Sequence, residues 1–336
     1  MRLLVTGGAG FIGSNFVRYW LREHPGDEVH VLDKLTYAGN LENLADVAGD
    51  PGYSFQRGDI CDPEAATAAI AGCQAVVHFA AEAHVDRSIL SAGEFIQTDV
   101  FGTYVLLEAA RQAGVERFVQ ISTDEVYGPV REGSSLETGL LLPSNPYAAS
   151  KVGAERMAYA FWVTHGLPVI ITRGSNTYGP YQYPEKLIPL FVTRALRDEK
   201  LPVYGDGRQV RDWLYVEDHC RGIEAALIAG VPGQVYNVGG GCEKENLETI
   251  RLLLDELGRP GSLIEFVADR PGHDVRYSLD CTKLRALGWA PRAAWEPAMR
   301  ATVRWFAEHH DWAVRAMERS REFFQQWYAQ RGWSGS

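Results

Sequence analysis

Two adjacent carboxyl groups, Asp124 and Glu125, stand directly after "RFVQIS" (residues 117–122), a run typical of a buried strand. If that strand belongs to a parallel sheet, the pair lies at the carboxyl edge, where α/β proteins bind their ligands. One carboxylate can then remove a proton while a protonated neighbour donates one, provided that their surroundings separate their pKa values. The alternative at this point is a solvated acidic turn.

A glycine motif near the N-terminus predicts where a dinucleotide would bind. "VTGGAGFIGS" follows the first predicted strand and opens the first predicted helix, with glycines at Gly7, Gly10 and Gly13. Such glycines permit a tight turn and close approach of a pyrophosphate to the helix N-terminus, which supplies N–H donors. Asp33, 20 residues after Gly13, would accept hydrogen bonds from both ribose hydroxyls, which favours NAD over NADP. Lys34 acts slightly against this choice, and a capping role is the alternative for Asp33.

The stretch "NPYAASK" places Tyr147 and Lys151 four residues apart, so a helix would bring both side chains to one face. A nearby ammonium group favours the phenolate, and the positive ring of NAD⁺ would act in the same direction. Together they would lower the pKa of Tyr147 from about 10 towards neutrality. Such a tyrosine can take a proton from an alcohol while hydride leaves the same carbon. Taken alone the pair is common by chance, and the glycine motif makes the functional interpretation preferable.

The elements that must position these residues alternate between short apolar runs and amphipathic stretches, the pattern of a parallel sheet with crossover helices. The predicted strands are "RLLVT", "EVHVLD", "YSFQRGD", "AVVHFAA", "RFVQIS" and "PVIITR", and the predicted helices cover 11–23, 63–71, 92–114 and 147–165. The fold class is therefore α/β, a doubly wound Rossmann-type sheet with a smaller C-terminal substrate-binding lobe. We expect an NAD-binding domain with the catalytic residues at 1–180 and an interleaved, mainly substrate-binding lobe at 181–336.

Composition excludes several classes of function. The chain has 336 residues, a net charge of −10 and five scattered cysteines, and its pI is about 5.4. The acidic balance argues against binding to nucleic acid or to an anionic membrane surface. No apolar run reaches the roughly 20 residues needed to span a bilayer. The absence of a signal peptide and of paired or metal-type cysteine spacing predicts a cytoplasmic protein without a metal site.

These motifs together resemble a known family. The matching stretches are "TGGAGFIGSNFVRY", "DKLTYAGNLENL", "GDICD", "HFAAEAHVDRSI", "STDEVYG", "NPYAASK", "SNTYGPYQYPEKLIPLF", "YGDGRQVRDWLYVEDHCRGI", "YNVGGG" and "DRPGHDVRYSLD". The chain resembles the extended short-chain dehydrogenase/reductases, most closely their nucleotide-sugar branch, the dTDP-glucose 4,6-dehydratases. The resemblance runs from the first strand to about residue 290, and "TDEVYG" is its most specific element.

The resemblance implies roles for the opening pair. Glu125 would remove a proton from C5 of the sugar, Asp124 would protonate the departing C6 hydroxyl, and Thr123 would hold the sugar near O4. Tyr147, supported by Lys151, would take the C4 hydroxyl proton. Asp124 can carry a proton near pH 7 only if its pKa is raised, so the site should be closed and poor in water.

The resemblance also implies binding residues. Those for NAD are Gly7, Gly10, Phe11, Ile12, Gly13, Asp33, Lys34, Leu35, Thr36, Asp59, Ile60, Phe79, Ala80, Ala81, Ala83, Thr98, Tyr147, Lys151 and Thr177. Those for the nucleotide sugar are Ala83, Thr123, Asn176, Lys186, Leu187, Pro202, Val203, Tyr204, Arg211, Asn246, Arg270, Pro271, Gly272 and His273. Arg211 and Lys186 suit a pyrophosphate, which needs local positive charge in an acidic protein. A surface ion pair is the alternative for Arg211.

The function that follows is NAD-dependent dehydration of dTDP-glucose to dTDP-4-keto-6-deoxyglucose, a hydro-lyase reaction, with NAD tightly bound and regenerated in each turnover. The alternatives are a nucleotide-sugar 4-epimerase or reductase, a 4,6-dehydratase that acts on UDP-glucose, and a non-catalytic NAD-binding regulator. An epimerase needs Tyr147 and Lys151 but has no use for the carboxylate pair. We also expect a homodimer in which helices 92–114 and 147–165 pack against their symmetry mates.

Overall fold

The computed structural model describes residues 1–269, 274–319 and 327. Its strands are β1 (Arg2–Thr6), β2 (Glu28–Asp33), β3 (Tyr53–Arg57), β4 (Ala75–His78), β5 (Arg117–Thr123), β6 (Val169–Gly174), β7 (Asn176–Tyr178), β8 (Leu201–Tyr204), β9 (Val210–Tyr215), β10 (Val235–Val238), β11 (Glu243–Glu245) and β12 (Ile264–Val267). Its helices are α1 (Phe11–Glu23), α2 (Pro63–Ile70), α3 (Val85–Leu90), α4 (Ala92–Phe95), α5 (Thr103–Ala113), α6 (Pro146–His165), α7 (Leu187–Leu196), α8 (Val216–Ala229), α9 (Asn246–Glu256), α10 (Thr282–Arg285), α11 (Trp295–Glu308) and α12 (His310–Glu318). Short 3₁₀ turns cover Leu41–Leu44, Asp124–Tyr127 and Gly261–Leu263, and a π-helical segment covers Ile96–Gly102.

Seven strands form one parallel sheet in the order β10–β6–β5–β4–β1–β2–β3. Without β10, the order is that of a doubly wound dinucleotide-binding sheet, in which the strand order reverses between β1 and β4 while all strands stay parallel. Ligands bind beyond the carboxyl ends of the strands at this switch point. The predicted fold class is therefore confirmed.

The predicted elements agree with the structure because their apolar runs are short and bounded by turn residues. The first two strands and helix 11–23 have the predicted bounds. The strand predicted as "AVVHFAA" is shorter, since β4 ends at His78 and the next residues turn into a cavity. The helix predicted at 92–114 is interrupted by the π-helical segment, whose last residue, Gly102, lies so close to Ile60 that a Cβ would be 2.7 Å from its Cδ1. A sequence period cannot reveal this tertiary contact.

Apolar clusters cover both faces of the large sheet. On one face Phe16 and Trp20 of α1 and Ile223 of α8 are fully buried against the strands. On the other face Leu106 of α5 and Phe161 of α6 pack with α2. Burial of side chains of this size contributes about 1.5–3 kcal/mol each, which anchors the helices that carry the functional residues.

The second half of the chain is shared between two bodies. Strands β7, β9 and β11 form a small sheet, β8 pairs with β12, and helices α7, α9, α11 and α12 enclose a third apolar cluster. Strand β10, however, joins the large sheet by pairing with β6, and helix α8 packs on a face of the same sheet. The lobe is therefore covalently interleaved with the sheet, which holds it over the carboxyl edge.

Within residues 1–269 and 274–319, no helix is long and apolar enough to cross a membrane. All five cysteines are free thiols. The same described residues contain no cluster of histidine, cysteine and carboxylate side chains that could hold a metal ion.

A buried ion pair fastens α6 to the sheet. The Arg173 guanidinium, 1% exposed, makes two hydrogen bonds to the fully buried Glu155 carboxylate, at 3.0 and 2.6 Å. Glu155 lies one turn after Lys151 on the same helix, so this contact holds the helix that carries Tyr147 and Lys151 in place.

We predict that Arg173→Met lowers the free energy of unfolding by up to about 3–5 kcal/mol, because the buried Glu155 charge then keeps only the ion pair with the more exposed Arg156, at 3.1 Å. The double variant Arg173→Met/Glu155→Gln should lose less, since no buried charge remains. Arg22→Met is the control, because Arg22 pairs with Glu23 and Glu217 on the surface and such pairs contribute about 0–1 kcal/mol. Chemical denaturation that shows equal losses for the Arg173 and Arg22 variants would contradict this prediction.

Candidate active site

The glycine loop between β1 and α1 has the shape that a diphosphate requires. Gly7 has a φ of 69°, and a Cβ there would lie 2.6 Å from the backbone nitrogen of Ala80. A Cβ at Gly13 would lie 2.3 Å from the Gly7 carbonyl oxygen, so neither position accepts a side chain without movement of the backbone. Gly10 caps α1 without a side-chain hydrogen bond. The first N–H groups of the helix are thus left for an anionic group.

Asp33 ends β2 beside this loop. Its two carboxylate oxygens accept hydrogen bonds from the backbone N–H groups of Ala9 and Leu35, at 2.9 and 2.8 Å, and the residue is 8% exposed. Burial raises its pKa, while the two backbone hydrogen bonds oppose the rise. Each oxygen keeps a second lone pair for a ribose hydroxyl. Lys34 pairs with Asp59 at 2.6 Å and not with Asp33, so its charge does not neutralise this site. These residues fit an adenine dinucleotide.

The carboxylate pair begins a 3₁₀ turn directly after β5. Thr123 caps the turn, because its Oγ1 accepts a hydrogen bond from the Glu125 N–H at 3.3 Å and donates one to Asp124 Oδ1 at 3.2 Å. The turn therefore starts at the carboxyl edge of the sheet, and the threonine fixes both acidic residues relative to the strand. This local arrangement follows from the order Thr-Asp-Glu.

Asp124 is only 3% exposed, and its Oδ2 has no hydrogen-bond partner among the described residues. Burial raises the pKa of Asp124 well above its ordinary value, and the charges of Glu125 and Asp212 raise it further. The hydrogen bond from Thr123 and the charge of Arg211 act in the opposite direction without cancelling the rise. A protonated carboxyl group with an unpartnered oxygen is suited to donate a proton.

Glu125 is positioned from the start of α6. The Asn145 side chain accepts a hydrogen bond from the Ala148 N–H at 2.8 Å, which caps the helix, and its amide donates to Glu125 Oε2 at 3.2 Å. Glu125 is half-buried, in contrast to Asp124. The two neighbours thus differ in solvation, and this difference separates their roles.

Tyr147 and Lys151 lie one turn apart on α6, as predicted, and both line the same cavity as Asp124 and Glu125. The Lys151 ammonium is 5% exposed and donates a hydrogen bond to the carbonyl oxygen of Ile121 on β5, at 2.8 Å. Burial lowers the pKa of Lys151, and the negative charges of Asp99 and Glu155 oppose this. The ammonium is thereby directed towards the sheet edge.

The pKa of Tyr147 differs from the expectation stated above. Burial raises it well above 10, and the charges of Glu125 and Asp99 raise it further, while a hydrogen bond with Thr123 lowers it. The protein residues alone therefore favour the neutral phenol. The prediction of a lowered pKa depended on the charge of a bound nicotinamide ring, which these residues do not supply.

Two cavities contain most of the predicted site residues, and they share Glu125, Asn176, Glu185 and Lys186. The first, of about 320 Å³, is lined by Gly7, Gly10, Phe11, Ile12, Gly13, Asp33, Lys34, Thr36, Asp59, Ile60, Phe79, Ala80, Ala81, Ala83, Thr98, Thr123, Asp124, Tyr147, Lys151 and Thr177. The second, of about 190 Å³, is lined by Leu187, Pro202, Val203, Tyr204, Arg211 and Asn246. Glu125 thus lies where the two cavities meet, and Asp124 beside it lines the first.

Five predicted residues are not among those that line the two cavities. Leu35 lines neither cavity, because its side chain packs against the core and its backbone N–H bonds to Asp33. The other four, Arg270 to His273, lie outside the described residues.

Several lining residues were not predicted. Glu185 is buried and pairs with Arg87 at 3.1 Å, and His219 lies 2.8 Å from Thr177 Oγ1. Tyr277 and Trp327 line the second cavity. Only tertiary structure brings these four to the site. Asn145 is different, because an asparagine before a proline is a helix-start signal that the sequence displays.

Comparison with known proteins agrees with this geometry. The GDP-mannose 4,6 dehydratase family model matches residues 4–302. A dTDP-glucose 4,6-dehydratase from Streptomyces niveus is 52% identical over 317 residues, which covers 93% of this chain and 94% of the relative. The crystal structure of DesIV, a dTDP-glucose 4,6-dehydratase from Streptomyces venezuelae with NAD bound, is 53% identical, with a TM-score of 0.92 over 94% of this chain and all of that chain.

More distant structures share the fold with a different activity. A UDP-glucose 4-epimerase from Thermus thermophilus, also solved with NAD, is 35% identical, with a TM-score of 0.85 over 91% of this chain and 99% of that chain. The dehydratases are closer in both sequence and structure. The chain therefore belongs to the GDP-mannose 4,6 dehydratase family, among the dTDP-glucose 4,6-dehydratases, as its motifs predict.

Proposed function

We propose that this protein dehydrates dTDP-glucose to dTDP-4-keto-6-deoxyglucose with NAD as a resident cofactor. One observation carries the proposal: a buried Asp124 with a raised pKa lies beside the half-buried Glu125, where the two cavities meet. Redox chemistry at C4 alone does not need this pair. Elimination of water needs both an acid and a base, and the site contains one of each.

The first 180 residues contribute the chemistry and the cofactor site. The glycine loop and the N-terminus of α1 hold the diphosphate of NAD, and Asp33 holds the adenosine ribose. When bound, NAD accepts a hydride from C4 of the sugar and returns it to C6, so that no cofactor is consumed. The remaining steps are proton transfers that belong to side chains of this chain.

The positive charge of bound NAD⁺ would add to that of Lys151 in favouring the phenolate over the neutral phenol, and in that form Tyr147 takes the proton of the C4 hydroxyl. Thr123, which interacts with the Tyr147 side chain, orients O4. The resulting 4-ketone makes the C5 proton acidic. Glu125 then removes this proton, and Asp124 gives its own proton to the C6 hydroxyl, which departs as water. The proton on Glu125 returns to C5 when C6 is reduced.

Residues after 180 hold most of the nucleotide. Arg211, 6% exposed, lies in the second cavity near Tyr277, with its guanidinium 5.3 Å from the ring centre. Lys186 lies where the cavities meet and donates a hydrogen bond to the carbonyl oxygen of Ala83, at 2.7 Å. The two cations supply the charge that a diphosphate requires in a protein with a net charge of −10.

A 4-epimerase is the second candidate, because a solved epimerase shares this fold at 35% identity. Mass analysis after incubation with dTDP-glucose, combined with chromatography that separates sugar epimers, distinguishes the possibilities: loss of one water indicates a dehydratase, and a separable isomer of equal mass an epimerase. An unchanged substrate would overturn both. Parallel incubations with UDP- and GDP-glucose identify the preferred base, since the thymine methyl contributes only about 1–3 kcal/mol of discrimination.

We also propose a reducing compartment, the cytoplasm. Five free thiols support this, because an oxidising compartment would favour their pairing or modification.

The acid–base assignment predicts how two substitutions behave. Asp124→Asn keeps the shape of the side chain but cannot donate the proton, and Glu125→Gln cannot accept one, so each should slow dehydration about 10²–10⁴-fold. Both variants should still oxidise C4, and absorbance of the reduced nicotinamide should accumulate. Tyr147→Phe should produce almost no such absorbance. Deuterium exchange at C5 separates the two, because only the Glu125→Gln variant should lose it.

The pH dependence follows from the raised pKa of Asp124. The protonated form is the active one, so dehydration should decline as the pH rises through this pKa, and the residual activity of Asp124→Asn should lack that alkaline decline. Glu132→Gln, a change at an exposed carboxylate, is the control. Dehydration near the parent rate in both the Asp124 and Glu125 variants would overturn the assignment.

We predict that NAD copurifies with the protein and that turnover needs no added cofactor. Gly13→Ala should abolish this retention, because the new methyl group would meet the backbone of Gly7 and Gly8 at 2.3 and 2.9 Å. Gly49→Ala is the control, since its Cβ would meet nothing within 4 Å. Chromatography of the nucleotide released by denaturation measures the content. A parent protein that is fully active without any nicotinamide would contradict the prediction.

A homodimer through α5 and α6 is proposed from exposed apolar side chains. Ile96, Phe101, Tyr104, Tyr159 and Val163 are 40–62% exposed on this face. Val163→Arg should shift the mass measured by light scattering at micromolar concentration towards that of a monomer. Ile228→Arg, at a residue 50% exposed elsewhere, should not. A monomeric parent protein would rule the dimer out.

A further inference from the structure

One residue that lines the second cavity, Trp327, is far from the other lining residues in sequence. Trp327 is 1% exposed and lines this cavity together with Tyr204, Arg211 and Asn246. It lies more than 110 residues after both Tyr204 and Arg211 in the sequence. No motif in the sequence draws attention to it.

A chain of two hydrogen bonds connects Trp327, through Tyr204, to Asp86. Its indole N–H donates to the Tyr204 hydroxyl at 2.9 Å, and that hydroxyl donates to Asp86 Oδ2 at 3.3 Å. Tyr204 ends β8, and Asp86 lies in the first turn of α3, just beyond β4. Three segments that are remote in sequence therefore meet at one phenol group.

We propose that Trp327 is a positioning residue of the nucleotide subsite, which fixes the Tyr204 ring as a wall for the planar base. The inference rests on the proposed function, because it takes the ligand of the second cavity to be a nucleoside diphosphate sugar. It adds Trp327 to the residues that determine nucleotide affinity.

The physical reason is preorganisation. Hydrogen bonds on two sides of the Tyr204 hydroxyl hold the far end of the side chain in place, so the ring cannot swing away about its Cα–Cβ bond. A ring that is already immobile loses less conformational entropy when a flat ligand packs on it. The indole also excludes water from this end of the cavity, which strengthens the charge interactions of Arg211 with a diphosphate.

A purely space-filling role for Trp327 and a positioning role predict different effects of its replacement on nucleotide binding. If Trp327 served only to fill space, its replacement would lower stability without a selective effect on the nucleotide. If it acts through Tyr204, removal of either partner should weaken binding of the nucleotide, and removal of both should cost little more than removal of one.

The experiment measures the Kd of dTDP, which lacks the reacting sugar, by calorimetry on the full-length protein with its cofactor. Trp327→Phe removes the N–H donor and should raise the Kd roughly fivefold, as expected for one hydrogen bond. It should raise the KM for dTDP-glucose to a similar extent and leave kcat unchanged. Tyr204→Phe removes this hydrogen bond and also the one to Asp86, so it should raise the Kd at least as much.

The double variant Trp327→Phe/Tyr204→Phe should bind dTDP as Tyr204→Phe does. The matched control is Trp289→Phe, because Trp289 is also buried and its indole N–H donates to the Asp218 carbonyl oxygen at 3.0 Å, away from both cavities. It should leave the Kd unchanged even where it lowers the melting temperature. If Trp327→Phe fails to fold, the Tyr204→Phe result decides.

Three outcomes would overturn the inference: parent-like dTDP affinity in Trp327→Phe, or in Tyr204→Phe where that variant decides; additive losses in the double variant; or an equal loss in Trp289→Phe. Each leaves the proposed function standing, provided that the parent protein still dehydrates dTDP-glucose. If the parent protein neither binds dTDP nor releases water from dTDP-glucose, the proposed function and the inference both fail.

Discussion

A carboxyl group that is 3% exposed, next to a second carboxyl group, holds its proton strongly, because water is excluded and the charge of Arg211 only partly compensates for the charge that ionisation would create. The exclusion of water from Asp124 is the constraint on which the rest of the site depends. It requires that the carboxyl edge of the sheet be covered. The second half of the chain provides this cover, and the insertion of β10 and α8 into the large sheet prevents the cover from separating.

Positioning within the site depends on short-range contacts between neighbouring elements. Thr123 holds the acidic pair at the end of β5, and Asn145 joins the start of α6 to Glu125. The Lys151 ammonium bonds back to β5. The Arg173–Glu155 ion pair fixes the same helix to β6. Asp124, Glu125 and Tyr147 are therefore all positioned relative to the large sheet.

The two neighbouring carboxyl groups illustrate how environment assigns roles to identical chemical groups. Asp124 has an oxygen without a partner and a raised pKa, whereas Glu125 is half-buried and accepts a hydrogen bond from an amide. A site that used both groups as bases would not need this asymmetry. A UDP-glucose 4-epimerase shares this fold, so the sheet alone does not determine which reaction is catalysed.

The individual strands of the large sheet, the glycine loop, the helix with Tyr147 and Lys151, and the family could all be predicted from the sequence. Each of them depends on local periodicity or on residues that are close together in the chain. Most predicted contact residues lie around the two cavities for the same reason. Tertiary structure set the pKa of Tyr147, which burial and then nearby carboxylates raise, and it packed the Leu35 side chain inwards. It also decided the meeting of Asp86, Tyr204 and Trp327, since contacts between distant segments depend on how whole elements pack and leave no periodic trace in the sequence.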